Sequence, residues 1–211
     1  MTDGKLALGI CGSPRHGGNT ISLIREALKA AQGRGMETEE VFLVDLKIGP
    51  CLACMGCKEG GARCVLDDDL ESLVQKARRA DVIVVGSPVY MEDVTGQCKV
   101  LLDRMFSVLG PGPDWEFLMD FPHKRALVVA TCEARKPGYP DQALRTMKYL
   151  LRHFGIRAPQ ITEMVEQGLP PAGVAIFERP GALRKAFGIG ATLADECADP
   201  NDLERGPSYL D

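Results

Sequence analysis

The sequence predicts an α/β fold, an open parallel sheet with helices on both faces. Three observations carry that expectation: short apolar runs recur along the chain, helical patterns alternate with them, and glycine-containing turns follow the first and third runs. Strand alternating with helix five times is the pattern of a parallel sheet whose crossovers return over its faces.

The elements follow in chain order. Leu6–Cys11 (LALGIC) is a continuous apolar run bounded by Lys5 and Gly12, as a strand buried on both faces requires. Ile21, Ile24, Leu28 and Ala31 then recur at helical spacing, with Asn19 or Thr20 placed to cap the first turn. Residues 37–43 (ETEEVFL) begin polar, which suits an outer strand, and a weaker fifth strand is expected at 158–164. Asp67, Asp68 and Asp69 set acids at the positive end of a second helix carrying Leu70, Leu73 and Ala77. Residues 82–85 (VIVV) and 126–131 (ALVVAT) give the third and fourth strands; 98–109, 142–154 and 181–196 give three more helices, the last containing three glycines. With right-handed crossovers, this count fits the flavodoxin-like strand order 2-1-3-4-5. The chain reads as one domain over 1–211, with a cysteine-rich loop at 47–66 inserted between strand two and helix two. From about residue 165 to 211 the pattern reads as a C-terminal extension whose structure it leaves open. The tract 110–124, which holds the only Trp, also lacks a clean period.

The bulk numbers narrow the function classes. A chain of 211 residues, 45% hydrophobic and 26% charged, buries enough surface to fold without disulfides. The net charge is −4 and no long basic run is present, so nucleic acid is not an expected partner. No apolar stretch approaches the roughly 18 residues of a membrane span, and no secretory leader is readable. The cytoplasm is the expected compartment, where clustered thiols bind metal or do redox chemistry.

Two loops carry the ligand signals. GSPRHGGNT (12–20) lies between strand one and helix one, where free N–H groups and the helix dipole attract phosphate in an open α/β sheet. Gly18-Asn19 stand where a nucleoside-triphosphate loop needs Lys-Ser/Thr, and GxGxxG is absent. What remains is a cradle of Ser13, Asn19 and Thr20 with Arg15 as its cation, suited to a terminal monophosphate such as that of FMN. After strand three, Ser87, Pro88, Val89, Tyr90 and Met91 form the loop expected beside the flavin ring, giving backbone donors and one aromatic face. The stretch 131–140 after strand four is a third loop on the same edge, with a less readable role. His16 is placed to reach the phosphate, His123 and His153 read as surface residues, and no side chain is assigned as a catalytic acid or base.

The pair GSPR…GNT and ADVIVVGSPVY…VTGQCKVLLDR resembles the NADPH-dependent FMN reductase superfamily of flavodoxin-like proteins. The loop Cys51-x2-Cys54-x2-Cys57-x6-Cys64 is similar to that of one branch, the iron–sulfur flavoproteins. The resemblance spans about residues 5–160. It implies an FMN oxidoreductase taking electrons from a ferredoxin-like donor or NAD(P)H, passing them to a small-molecule acceptor, and working as a homodimer or homotetramer with cofactors near subunit boundaries.

Half of the eight cysteines fall within the fifteen residues PCLACMGCKEGGARC. Thiolates at i, i+3 and i+6 can wrap one face of a cube, and Cys64 supplies the fourth ligand that a 4Fe–4S cluster requires. Gly56, Gly60 and Gly61 allow tight turns there. Zinc also takes four cysteines, though usually as two C-x2-C units across a longer gap, and unligated thiols under a surface loop are the bland alternative. The rival functions are therefore a cluster-free NAD(P)H-dependent FMN or quinone reductase, a flavodoxin-like carrier, and a zinc-stabilised flavodoxin-like interaction module.

Overall fold

The computed structural model describes residues 4–59, 63–110, 114–170 and 175–198. Its strands are β1 (Leu6–Cys11), β2 (Glu37–Phe42), β3 (Val82–Pro88), β4 (Arg125–Thr131) and β5 (Ile161–Glu166). They form one parallel sheet of order β2-β1-β3-β4-β5, the flavodoxin-like order expected from the alternation. The helices are α1 (Asn19–Gln32), α2 (Gly56–Glu59), α3 (Leu70–Arg79), α4 (Gly96–Arg104), α5 (Asp141–His153) and α6 (Pro180–Ala198).

The period-two alternation of each strand divides the core into two layers. Leu6, Leu8, Ile10, Ile83, Val85 and Val128 point to the face covered by α3, α4 and α5. Ala7, Cys11, Val82, Val84, Leu127 and Val129 point to the face covered by α1 and α6. The central strands are apolar throughout because both of their faces are buried. The polar β2 lies at an edge, where Glu39 and Glu40 pair with Lys76 at 2.6 Å and Arg25 at 2.7 Å.

Several boundaries differ from the sequence reading, each for a local reason. Strand β3 runs past its apolar stretch to Pro88, because Gly86, Ser87 and Pro88 stay in register with Val129, Ala130 and Thr131 of β4. Residues Ala158–Gln160 form a 3-10 turn containing Pro159, and the fifth strand begins only at Ile161. The helix expected at 98–109 ends at Arg104 and continues as a 3-10 turn, Met105–Val108. The N-cap of α1 is Gly18, not Asn19 or Thr20, both of which are already helical.

After β5, the chain returns as α6 and packs along α1. A Cβ at Gly190 would lie 2.3 Å from the Ala27 carbonyl oxygen, so this glycine sets how closely the two helices approach. Residues 199–211 of the C-terminal segment lie outside the described residues. No described helix is long and apolar enough to cross a membrane.

Candidate functional site

The carboxyl ends of β1, β3 and β4 open into a cavity of about 530 Å³. The opening follows from topology: β1 leads into α1 on one face while β3 leads towards α4 on the other, and the diverging loops leave a crevice. Short contacts fix the start of the first loop, just before the cavity-lining Ser13. The Gly12 N–H donates to the Gly86 carbonyl at 2.7 Å, and the Thr95 hydroxyl donates to the Gly12 carbonyl at 2.8 Å. A Cβ on Gly12 would stand 2.1 Å from the Cys98 sulfur, so the first loop can take this path only with glycine there. Cys98 is a packing residue beneath that loop, and burial pushes its thiol up to about 11.

Ser13, Arg15, Asn19, Thr20, Pro88, Val89 and Tyr90 all line this one cavity. The Ser13 hydroxyl oxygen accepts from the Arg15 N–H at 3.2 Å and shapes the loop. Gly18 enters α1 in extended conformation, and no side chain caps the helix. The first-turn N–H groups of a 14-residue helix are thus left without a side-chain partner at its positive end. The exposed Arg15 guanidinium has no hydrogen bond or ion pair among the described residues. A cation beside an uncapped helix start is an anion site in waiting. The neutral side chains are more occupied than their composition suggested. Thr20 and Thr131 share a hydroxyl–hydroxyl bond of 2.7 Å, and Asn19 Oδ1 accepts from the Ile176 N–H at 3.0 Å.

Beyond β3, Tyr90 and Asp93 exchange backbone hydrogen bonds of 2.8 and 3.0 Å, closing a turn over Met91 and Glu92. Both turn residues are left-handed, with φ of 50° and 66°. The Asp93 carboxylate holds the turn by accepting from Val94 N–H and from the Thr146 hydroxyl of α5, each at 2.7 Å. Tyr90 is held half-exposed at the cavity rim. Met91 sits at the tip, 94% exposed, and is not among the lining residues. The backbone donors expected from this loop are spent at Val89, which donates to the Thr131 carbonyl, and at Tyr90, which donates to Asp93.

The far wall of the cavity comes from the third loop, including Thr131, Cys132, Glu133 and Tyr139, and from Leu169 and Pro170 after β5. Position on the sheet edge signalled the third loop in the sequence; nothing local signalled Leu169 or Pro170. Two of the histidines behave differently from the expectation. His16 turns away to Asp45 at 2.7 Å and against the Phe42 ring, and is not a lining residue. His153 is 4% exposed rather than on the surface, its Nδ1 2.8 Å from the Tyr149 carbonyl oxygen and its ring edge-on to Phe117.

Cys51, Cys54, Cys57 and Cys64 line a second, smaller hollow, whose base includes Arg104, Phe106 and Ser107. Left-handed Ala53 (φ 53°) and Met55 (φ 59°) curl the loop, and the Ala53 N–H donates to the Cys51 sulfur at 3.4 Å. Gly56 opens α2 against Val65, while Gly60 and Gly61 lie outside the described residues. Lys58 stands beside the hollow, donating to the Phe106 and Leu109 carbonyls at 2.6 and 2.8 Å and lying over the Phe106 ring.

Arg104, 1% exposed, reaches Asp68 through two donors at 2.6 and 3.1 Å, the Gly49 carbonyl at 2.8 Å and the Cys64 sulfur at 3.2 Å. Burial raises the Asp68 carboxyl, but the Arg104 fork and backbone N–H donors outweigh it and hold the group below its usual range. Among the described residues, no three His, Cys, Asp or Glu side chains are arranged to hold a metal ion. The donor chemistry nevertheless fits a four-thiolate group: four cysteines line one hollow, with Arg104 and Lys58 beside them. Among the scattered cysteines, burial pushes Cys11 up to about 12 and Cys197 up to about 11.

A parallel sheet of this order with a phosphate-type loop at its switch point defines a flavodoxin-like protein. Residues 6–163 match the model of the NADPH-dependent FMN reductase family, and the chain belongs to that family of oxidoreductases. It is 47% identical over 97 residues to an iron–sulfur flavoprotein of Methanocaldococcus jannaschii, covering 46% of this chain and 50% of that one. It is 45% identical over 96 residues to an iron–sulfur flavoprotein of Methanosarcina thermophila, again covering 46% and 50%. The matches thus span about half the length of these curated relatives. Among solved structures, a flavone reductase superposes with a TM-score of 0.69 at 20% identity, covering 96% of this chain and 65% of that one. An NAD(P)H:quinone oxidoreductase from Methanothermobacter marburgensis gives 0.68 at 13% identity, covering 90% and 99%. At those identities the likeness speaks to the fold alone.

Proposed function

We propose that this chain is an FMN-dependent oxidoreductase that also carries a 4Fe–4S cluster on Cys51, Cys54, Cys57 and Cys64. In this reading it couples a one-electron donor, such as a ferredoxin, to two-electron reduction of a small-molecule acceptor. The observation that carries it is the pairing of two sites at opposite ends of α4. Thr95, the N-cap of that helix, donates its hydroxyl to the carbonyl of Gly12, the neighbour of cavity-lining Ser13, and Arg104 ends the helix at the cysteine hollow. The nine residues of that helix span about 13 Å at roughly 1.5 Å per residue. The names of the relatives support the same reading.

Bound there, a flavin supplies two-electron chemistry and a four-thiolate cluster supplies one-electron chemistry. The chain's own work is to bind and orient. Arg15 and the first-turn N–H groups of α1 balance a phosphate dianion, Gly12 and Thr95 fix the path of the first loop, and Tyr90 offers an aromatic face at the rim. Ser13, Asn19 and Thr20 shape the phosphate end, and Pro88 and Val89 wall the ring end. Met91 takes part only as the tip that caps the rim from outside.

The test is the visible spectrum of anaerobically purified protein, with flavin, iron and acid-labile sulfide measured on the same sample. Flavin bands with a broad cluster absorbance and about four irons per chain support the proposal. Flavin without iron supports a cluster-free NAD(P)H-dependent FMN or quinone reductase, a reading favoured by the lack of a closed metal-ligand set among the described residues. Zinc without colour would indicate a zinc-stabilised interaction module. Dithionite or reduced ferredoxin should reduce both chromophores faster than NADPH does; fast stoichiometric reduction by NADPH alone moves the chain to the reductase reading.

A further inference from the structure

We infer that the buried Arg104–Asp68 pair sets the electrostatics of the cysteine site, with Arg104 as the positioning residue that holds Cys64 and supplies the site's fixed positive charge. The inference rests on the cluster reading above and adds residues that the cysteine spacing does not reveal.

Four observations converge on Arg104. It closes α4 and lines the hollow shared by the four cysteines. Its Nη2 donates to the Cys64 sulfur at 3.2 Å, so it touches one of the four thiols directly. Two donors engage Asp68 and one engages the Gly49 carbonyl, which ties both ends of the cysteine loop to the end of α4. Its Nε is buried with no hydrogen-bond partner among the described residues, a rare state for a guanidinium N–H. A salt bridge serving only to tie down a loop would need neither the sulfur contact nor the unsatisfied donor.

The charges act in a definite direction. Adding an electron to an anionic thiolate-ligated group is easier beside a positive charge and harder beside a negative one. Arg104 therefore raises the reduction potential at this site, and Asp68, whose side chain is 13% exposed, lowers it. Removing either partner breaks the same ion pair. A purely structural role predicts that the two losses act alike, whereas the electrostatic role predicts opposite signs.

The experiment is a mediated dithionite titration of the anaerobic, cluster-loaded chain, comparing wild type with Arg104→Gln, Arg104→Lys and Asp68→Asn. Arg104→Gln should lower the reduced-to-oxidised ratio at fixed potential at least tenfold, a shift of 59 mV for one electron. Asp68→Asn should raise it, and Arg104→Lys, which keeps the charge, should lie near wild type. Equal-sign shifts for Arg104→Gln and Asp68→Asn, or no shift with iron retained, would overturn the inference. Should Arg104→Gln fail to fold, Asp68→Asn decides beside Arg104→Lys: a raised potential for the first with the second near wild type supports the inference, and an unshifted or lowered potential for Asp68→Asn overturns it. Wild type that takes up no iron after reconstitution refutes the cluster reading instead. The positioning claim is then judged on the apo chain by hydrogen exchange of residues 63–69, which must quicken in Arg104→Gln.

Discussion

Arg15 is a residue whose value lies in being unengaged. Most charged side chains near it are paired, including Arg25 with Glu40 and His16 with Asp45, while Arg15 lines the cavity without a partner among the described residues. Arg15→Ala should weaken FMN by about 1.5 kcal/mol, the low end for a charge-assisted bond because the group is exposed, or roughly tenfold. Riboflavin, lacking the phosphate, should be unaffected; equal losses for both ligands in a fluorescence titration would exclude a phosphate role. His153 shows the opposite condition. Burial lowers it below its ordinary 6.5, so the folded chain keeps the ring neutral while the unfolded chain protonates it. Stability should therefore fall as the pH drops below about 6.5 and level off below the folded value. In urea unfolding across that window, His153→Phe should flatten the slope; an unchanged slope would assign it to other groups.

At the scale of elements, α6 shows how two glycines in one helix can have unlike roles. Gly188 is exposed, and a Cβ there would meet nothing within 4 Å. Gly188→Ala should therefore gain about 0.5–1 kcal/mol from helix propensity. Gly190→Ala gains the same propensity but forces a methyl to 2.3 Å from the Ala27 carbonyl oxygen. Backbone cannot give way as a side chain can, so overpacking of about 1–3 kcal/mol prevails. Thermal unfolding should move up for the first variant and down for the second. Matching shifts would mean that α6 does not press on α1 as described.

For the whole molecule, the separation of the two sites is the property to test. The cavity is built from the loops after β1, β3 and β4, and the cysteine hollow from the β2–α3 connection and the end of α4. Cys54→Ala should lose most of the iron and acid-labile sulfide while FMN content stays near wild type. Cys98→Ala, 2% exposed and packed against Gly12, should keep its iron. Iron retained by the first variant, or lost by the second, would show that the loop does not house the cluster.

The sequence by itself determined the sheet, because a strand buried on both faces must be apolar along its whole length and a helix must repeat its apolar residues every three or four. It also determined the loops of interest, since glycine-rich turns and clustered thiols are local features. It left open which partner a side chain with several choices would take. Asn19 and Thr20 read as cradle donors, yet bond to Ile176 and Thr131, residues 157 and 111 positions away. Met91 shares a stretch with Tyr90, yet a left-handed turn carries it out of the cavity. Arg104 read only as one position within the helix expected at 98–109, and only folding brought it to Asp68, Gly49 and Cys64. Tertiary structure decided these matters because hydrogen-bond partners and buried charges are settled by contacts between segments distant in sequence, which no local period records.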